Sequence, residues 1–285
     1  MLIIQEKSGM QLANRLFLFS HLIANAIENE YTLINPTFDE YCQYFKATKN
    51  NDFGKYPIYT KFRISTPFIL FKLFVRLTAK LFPISRWHEF IECSDTTEFN
   101  LNDTNFLNKV KYKIVLANGW LFRDSDNFSK HSDQIRKYFT PSEKVIDKIN
   151  QLITDCRDKS DVIVGVHLRR GDYKLWQNGK YYFNDEVYVD KMDQLDKYFT
   201  SIGKRGLFLM CSNESIQEDN FREYNIKIGI NKSIEDLYSL AKCDYLIGPP
   251  STYSMWASFY GKVPLLHISK HTQVINLEDF SVVNQ

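Results

Sequence analysis

Apolar residues near the amino terminus change period within a few positions. Leu2 to Ile4 is a short continuous run that reads as a strand. After a loop containing Ser8 and Gly9, the residues Leu12, Leu16, Phe19, Ile23, Ala26 and Ile27 recur at helical spacing over about five turns. Tyr31 to Asn35 is a second short strand, closed by Pro36, so the opening reads as a β-loop-α-β unit. Phe38 to Tyr59 is polar and aromatic without a clear period. Lys113 to Ala117 reads as another buried strand, followed by Asn118-Gly119-Trp120, a polar loop and a helix near Ser132 to Phe139. Thr140-Pro141-Ser142-Glu143 has the form of a helix start, with Thr140 as N-cap, Pro141 at the first helical position and Glu143 completing a capping box. Val145, Ile149, Leu152 and Ile153 then make one apolar face. The polar run Asp155 to Asp161 interrupts the pattern, and it marks the predicted boundary between an N-terminal unit, residues 1–158, and a C-terminal unit, residues 159–285.

Beyond that run the alternation is cleaner. Val162-Ile163-Val164-Gly165-Val166 is a β-branched run of the kind found in buried parallel strands. A helix over Asp185 to Phe199 carries Tyr188, Met192, Leu195 and Phe199 on one face. Gly206 to Cys211 is a second strand, Ser233 to Ala241 a short helix, and Asp244 to Gly248 and Val263 to Ile268 two further strands separated by a helical Met255 to Tyr260. Strands alternating with helices imply a parallel sheet covered on both faces. The predicted class is α/β, in two units with a cleft between them, and such sheets bind ligands beyond the carboxyl ends of their strands.

Composition narrows the function classes. A formal net charge of +2 over 285 residues argues against a nucleic-acid binder that relies on a strongly basic face. The five cysteines, Cys42, Cys93, Cys156, Cys211 and Cys243, are scattered, with no C-x-x-C pair and no histidine at zinc spacing, so no disulfide framework and no metal site are expected. Met1 to Lys7 has too few apolar residues before its charges for a signal peptide, which gives the expectation of a cytoplasmic protein. Residues 61–87 set Phe68, Phe71, Phe74, Val75 and Leu81 among Lys61, Arg63, Lys72, Arg76, Lys80 and Arg86. That composition suits peripheral contact with the inner membrane face, and it equally suits a helix packed on its own domain with snorkelling basic side chains.

Three polar strand ends carry the candidate chemistry. His167-Leu168-Arg169-Arg170-Gly171-Asp172 continues the apolar strand without a break. Alternation puts His167 and Arg169 on one side and Leu168 and Arg170 on the other, so one arginine faces a ligand and the other holds the loop. Two guanidiniums beside a core need neutralising, and arginine forks match phosphate oxygens, although Arg170 and Asp172 around a glycine also suit a structural ion pair. Pro249-Pro250-Ser251-Thr252-Tyr253-Ser254 places small hydroxyl residues at a helix start, either as an anion site or as ordinary capping. Ser212 and Asn213 end the strand that begins at Gly206, within reach of a ribose or phosphate or simply capping a turn. Asp236 suits a guanine N1–H and amino group as well as it suits solvent.

These patches resemble a known family. His167 to Tyr173 is similar to the H-x-R-R-x-D motif of the α-1,2-, α-1,6- and protein O-fucosyltransferases, and its Gly-Asp-Tyr ending resembles the α-1,2 branch, which includes many bacterial enzymes. Asp236-Leu237 through Ser251-Thr252-Tyr253-Ser254-Met255-Trp256 resembles that branch's later block. Asn118 to Phe122 is similar to its mid-chain aromatic block, and Gly9 to Phe17 to its glycine-rich start, with Asn14 and Phe17 in register. Met10, Gln11, Ala13 and Arg15 depart from that start, as Ser212-Asn213-Glu214 departs from Ser-Asp-Asp. The resemblance implies two Rossmann-like domains facing a cleft in a GT-B-like arrangement, with an acceptor-side N-terminal domain, GDP-β-L-fucose held mainly by the second domain, and no metal or other cofactor. It implies that Arg169 contacts the β-phosphate and supports GDP departure, and that Ser251 and Thr252, with Ser254 in the same string, hold phosphate oxygens. It further implies that Asp236 reads guanine and that His167 lies near the nucleoside. From the residues alone, the loop Ser8 to Arg15, which contains Asn14 and opens a helix, is expected to meet the same ligand across the cleft.

The expectation is therefore a metal-independent, inverting fucosyltransferase acting on a galactose-containing glycan or its lipid-linked precursor, in α-1,2 linkage. A glycosyltransferase using another nucleotide sugar and a non-catalytic nucleotide- or glycan-binding module are the alternatives. A dinucleotide oxidoreductase is disfavoured, because no G-x-G-x-x-G follows either first strand.

Overall fold

The computed structural model describes residues 1–5, 10–61, 70, 73, 77 and 87–284. The chain divides into two compact units, one running from Met1 to Ser142 and one from Glu143 to Asn284. In the first, β1 (Leu2–Gln5), α1 (Leu12–Asn29), β2 (Leu33–Ile34), α2 (Asp39–Cys42), α3 (Lys46–Asn50), β3 (Ile58–Tyr59) and β4 (His88–Glu92) are followed by β5 (Phe99–Asn100), α4 (Thr104–Tyr112), β6 (Ile114–Asn118), β7 (Phe122–Arg123), α5 (Ser125–Lys130) and α6 (Ser132–Tyr138). Five of its strands form a parallel sheet in the order β3-β2-β1-β6-β4, with Leu2 opposite both Leu33 and Val115.

Helix α1 was expected to bury one stripe, yet every residue from Leu16 to Ala26 is buried. Aromatic side chains cover the face that the sheet does not: the Phe19 ring lies 5.2 Å from Phe38, 5.9 Å from Phe139 and 6.2 Å from Phe53. Burying a helix all round also buries its polar residues, which then need internal partners. Asp124 supplies them: its carboxylate accepts from Asn25 Nδ2 (2.8 Å), Asn102 Nδ2 (2.8 Å) and Asn127 Nδ2 (2.7 Å). The Tyr31 hydroxyl donates to Asn25 Oδ1 at 2.9 Å. Burial pushes the His21 imidazole down to about 4, so it stays neutral and its Nδ1 accepts from the Asp124 backbone N–H at 3.2 Å.

The second unit contains α7 (Glu143–Arg157), β8 (Val162–Leu168), α8 (Asp185–Ser201), β9 (Gly206–Ser212), β10 (Ile226–Ile228), α9 (Ser233–Leu240), β11 (Tyr245–Gly248), α10 (Thr252–Gly261) and β12 (Leu265–His267). Its sheet is parallel throughout, in the order β10-β9-β8-β11-β12. Helix α7 groups with this unit, ahead of the polar run that the sequence offers as a boundary, because it packs on α9, where Lys148 Nζ reaches Glu235 Oε1 at 3.3 Å. The helix starts at Glu143, two residues beyond the expected first helical position at Pro141, which is instead bridged to Phe45, and the Thr140 hydroxyl donates backwards to the Arg136 carbonyl at 3.3 Å.

Strand alternation decides what each face of this sheet carries. Val162, Val164, Val166, Leu168, Phe208, Met210, Ile247, Leu266 and Ile268 pack with Val187, Met192, Leu195 and Phe199 of α8. The opposite face therefore presents Ile163, Gly165 and His167 of β8 towards α9 and α10, and a Cβ on Gly165 would strike Leu246 and Leu240 within 3 Å. Most of the basic amphipathic segment at residues 61–87 lies outside the described residues, and the expectation of membrane contact lies there with it. Among the described residues, no helix is long and apolar enough to cross a membrane.

Candidate functional site

The order of the second sheet creates a switch point. The chain moves from β8 outwards to β9 and β10, then returns to lay β11 on the other side of β8, so the loops after β8 and β11 depart in opposite directions from adjacent strands. Open parallel sheets bind ligands at such a crevice, and both loops are the polar motifs picked out above.

Beyond Leu168 the arginines continue the alternation of the strand. Arg170, on the α8 side with Leu168, pairs through Nη2 with Asp185 at the start of α8, and that carboxylate also accepts from Asn220 Nδ2 at 2.7 Å. Its backbone N–H donates to Asn213 Oδ1 at 2.8 Å, while the Ser212 hydroxyl accepts from the Glu214 N–H at 3.1 Å. Arg170, Ser212 and Asn213 thus hold the loop. Gly171 sits at φ +48°, and a Cβ there would fall 2.8 Å from Asn213 Nδ2. Arg169 turns the other way. Its Nη2 lies 2.8 Å from Asp172 Oδ2, and its guanidinium stands 5.4 Å from the centre of the Tyr173 ring.

His167 does not add a positive charge. It is buried beneath Tyr253, ring centres 4.9 Å apart, and burial, followed by the charges of Arg169 and His267, drives its pKa down to about 3. The imidazole is neutral, and its buried Nδ1 has no hydrogen-bond partner. Gly248 is its neighbour on β11, where a Cβ would lie 2.7 Å from the His167 carbonyl oxygen and 3.0 Å from its Cβ. The absence of a side chain is what lets these two strand ends run together.

After Gly248 and two prolines, Ser251 caps α10, accepting from the Tyr253 N–H at 3.2 Å. Thr252 opens the helix, half-buried, beside N–H groups that have no intrahelical partner. Ser254, expected among the ligand contacts, is fully buried and donates to the Ser251 carbonyl at 3.1 Å, bracing the cap from within. Two tyrosine hydroxyls tie the motifs together. Tyr173 donates to the Pro250 carbonyl at 2.6 Å, and Tyr253 to the Ser233 carbonyl at the start of α9 at 2.7 Å. Neither role was legible in the sequence, where both tyrosines appear only as letters of a motif. His267 was missed as well: it stands opposite Gly248 on β12, with its Nε2 buried and without a hydrogen-bond partner.

Asp236 lies in the first turn of α9, on the same edge of the sheet. Its Oδ1 accepts from the Ile230 N–H at 2.7 Å, and a Cβ on Gly229 would fall 2.6 Å from that oxygen. Burial lifts this carboxyl from 3.8 to about 6. The folded protein keeps the proton over a range in which the unfolded chain has released it, so this group lowers stability as pH rises from about 4 to about 6. Urea midpoints of the parent and of Asp236→Asn should diverge across that range, the parent falling relative to the variant. Parallel midpoints would remove the argument.

Asn14 belongs to the first unit, half-buried in the first turn of α1. Arg15 beside it is structural: Nε donates to the Met10 carbonyl and Nη1 to the Thr37 carbonyl, both at 2.9 Å.

What the second unit offers chemically is one guanidinium, one helix N-terminus and one neutral imidazole at adjoining strand ends, an arrangement suited to an anionic leaving group. A model of glycosyl transferase family 11 matches residues 118–279 of the chain. No curated protein matches it. Solved structures share its fold. A mutant of Arabidopsis thaliana FUT1 in complex with GDP superposes with a TM-score of 0.64 at 13% identity, covering 98% of this chain and 73% of that one. POFUT1 in complex with GDP gives 0.59 at 13% identity, covering 93% and 98%. The fucosyltransferase NodZ from Bradyrhizobium gives 0.56 at 14% identity, covering 93% and 94%.

Proposed function

We propose that this chain, which belongs to glycosyl transferase family 11, moves L-fucose from GDP-β-L-fucose to a hydroxyl of a galactose-containing glycan, in α-1,2 linkage. The observation that carries the reading is the meeting of β8 and β11 at the switch point, which brings Arg169 and the N-terminus of α10 to one crevice. Three structures of the same fold are fucosyltransferases by name or hold GDP. The two units then take the roles of a GT-B-like enzyme, the first serving the acceptor and the second the donor.

In this reaction the acceptor hydroxyl oxygen bonds to the anomeric carbon, its proton passing to solvent, as the bond from that carbon to the β-phosphate oxygen breaks. GDP leaves with the electron pair, and the configuration inverts from β to α. The charge that develops on the departing diphosphate meets the Arg169 fork and the N-terminus of α10 at Ser251 and Thr252, which are fixed before the reaction begins. The neutral His167, beneath Tyr253, keeps a second cation out of the site. Asp236 and the backbone after β10 take the guanine.

Calorimetric titration with GDP, UDP and ADP in EDTA tests the donor. GDP should bind at least tenfold more tightly than UDP or ADP without added metal, and GDP-fucose should be consumed when acceptor is present. Preference for UDP would replace the donor, and GDP binding with no sugar turnover would make the chain a nucleotide-binding module.

A further inference from the structure

The loop after Arg169 contains a second feature that phosphate chemistry does not explain. Two rings anchored in the fold meet Trp176: Tyr173 lies 4.7 Å from it between centres, tilted 32°, and Tyr181, packed on the core, 5.6 Å, tilted 34°. Tyr173 is the ring beneath the Arg169 guanidinium, so Trp176 is one ring removed from the candidate catalytic group. The inner ring is buried, whereas Trp176 is 41% exposed and Leu175 beside it 86%. Lys180 and Lys174 stand 5.0 and 5.6 Å from the centres of the Tyr181 and Tyr182 rings.

The backbone holds this surface in place at a cost. Gln177, Asn178 and Gly179 follow one another in the left-handed region, at φ +47°, +57° and +75°. Two successive non-glycine residues there are unfavourable, and such strain persists where the surrounding structure imposes it, often beside a functional site. Here a run of tight turns imposes it: Tyr173 N–H to Arg170, Leu175 to Asp172, Asn178 to Leu175, Lys180 to Gln177 and Tyr182 to Gly179, each donating to the carbonyl three residues back. The result is a rigid apolar patch edged by the exposed amides of Gln177 and Asn178.

An aromatic surface bordered by amide groups has the chemistry of a sugar subsite. Galactose gathers C3–H, C4–H and C5–H on one side of its ring because its 4-hydroxyl is axial, which gives a small apolar face with hydroxyls around the edge. We propose that Trp176, backed by Tyr173 and Tyr181, is the platform on which the galactose unit of the acceptor rests, with Gln177 and Asn178 bonding its hydroxyls. The proposal rests on the fucosyltransferase reading for its acceptor and amends its division of labour: one acceptor subsite, for the galactose ring, lies on the second unit beside the donor site, and the first unit serves the rest of the glycan. One sugar ring laid on Trp176 would place a hydroxyl towards the donor held at Arg169.

Saturation-transfer NMR with lactose, without donor, tests it directly. Irradiating protein aromatic resonances should saturate the galactose C–H protons of lactose more strongly than the glucose protons. The effect should vanish in Trp176→Ala and survive in Trp176→Phe. In turnover assays the acceptor KM should rise at least tenfold in Trp176→Ala with kcat within twofold, a split that a merely structural loop residue would not produce. No saturation of lactose by the parent, an undiminished signal in Trp176→Ala or an unchanged acceptor KM overturns the platform. A parent that contacts lactose through Trp176 but leaves GDP-fucose intact overturns the donor reading and keeps the platform.

Discussion

Arg169→Ala should lower the rate of fucosyl transfer by about a thousandfold and weaken GDP binding, while Arg169→Lys should keep much of the binding and lose most of the rate. Removing one preorganised donor to a developing charge typically costs about 100- to 1,000-fold. This residue supplies a charged fork, which puts the expectation at the upper end. An ammonium restores the charge and not the two parallel N–H groups, so it serves the ground state better than the transition state. Arg170→Ala makes the internal comparison. That side chain is committed to Asp185, on the far side of the strand from His167, so its loss should act through the loop and raise donor KM along with lowering kcat. Steady-state kinetics with GDP-fucose distinguish the two patterns, and a fully active Arg169→Ala enzyme would refute the assignment.

Gly261→Ala should be the most destabilising single methyl that can be added to the second unit. Helix propensity alone predicts a gain of up to about 1 kcal/mol, because glycine is the poorer helix former. Packing opposes it. A Cβ on Gly261, the last residue of α10, would lie 1.9 Å from the carbonyl oxygen and 2.7 Å from the carbonyl carbon of Ala241, the residue that closes α9. Backbone cannot rotate away as a side-chain tip can, so the two helices must separate, disturbing the contact between Tyr238 and Tyr260, whose ring centres are 4.6 Å apart. Overpacking costs typically 1–3 kcal/mol, and this contact belongs at the top of that range, about 3 kcal/mol or roughly 10 °C in Tm. Gly206→Ala is the control, since its Cβ would meet Asp196 and Phe199 only at 3.6 Å, and it should shift Tm by no more than a degree or two. Equal melting of the two variants would show that α10 can slide, against the reading of this interface.

The parts of this fold that were legible share one property: they depend on neighbours in sequence. The run from Val162 to Leu168 announced a buried strand, and its alternation assigned Arg169 and Arg170 to opposite sides before any contact was known. The same logic did not reach β4. His88 to Glu92 is mostly half-buried, lacks a clean alternation, and becomes a strand because β6 lies beside it. Two-residue strands such as β2 and β3 carry too little pattern to be bounded. At the site, sequence placed the guanidinium and the helix start correctly on one edge. It missed that His167 is neutral, because that follows from the burial produced by Tyr253, 86 positions away in the chain by number yet stacked on it in space. Ser254 shows the converse. A hydroxyl in a motif looks available, and only the fold reveals that it is turned inward to the Ser251 carbonyl.

The order of strands in the second sheet also bears on how the site comes into being. β8 can pair with β9, and β9 with β10, as soon as the chain has emerged to Ile228, giving half a sheet with its arginine loop already braced by Asn213 and Asp185. The carbonyl of Pro250 that receives the Tyr173 hydroxyl, and the ring that covers His167, arrive only with the segment from Tyr245 onwards. A ribosome-bound chain halted before that point would own Arg169, Arg170, Asp172 and Asp236 and still lack the opposite wall of the crevice, so the charges of the site precede its shape during chain growth.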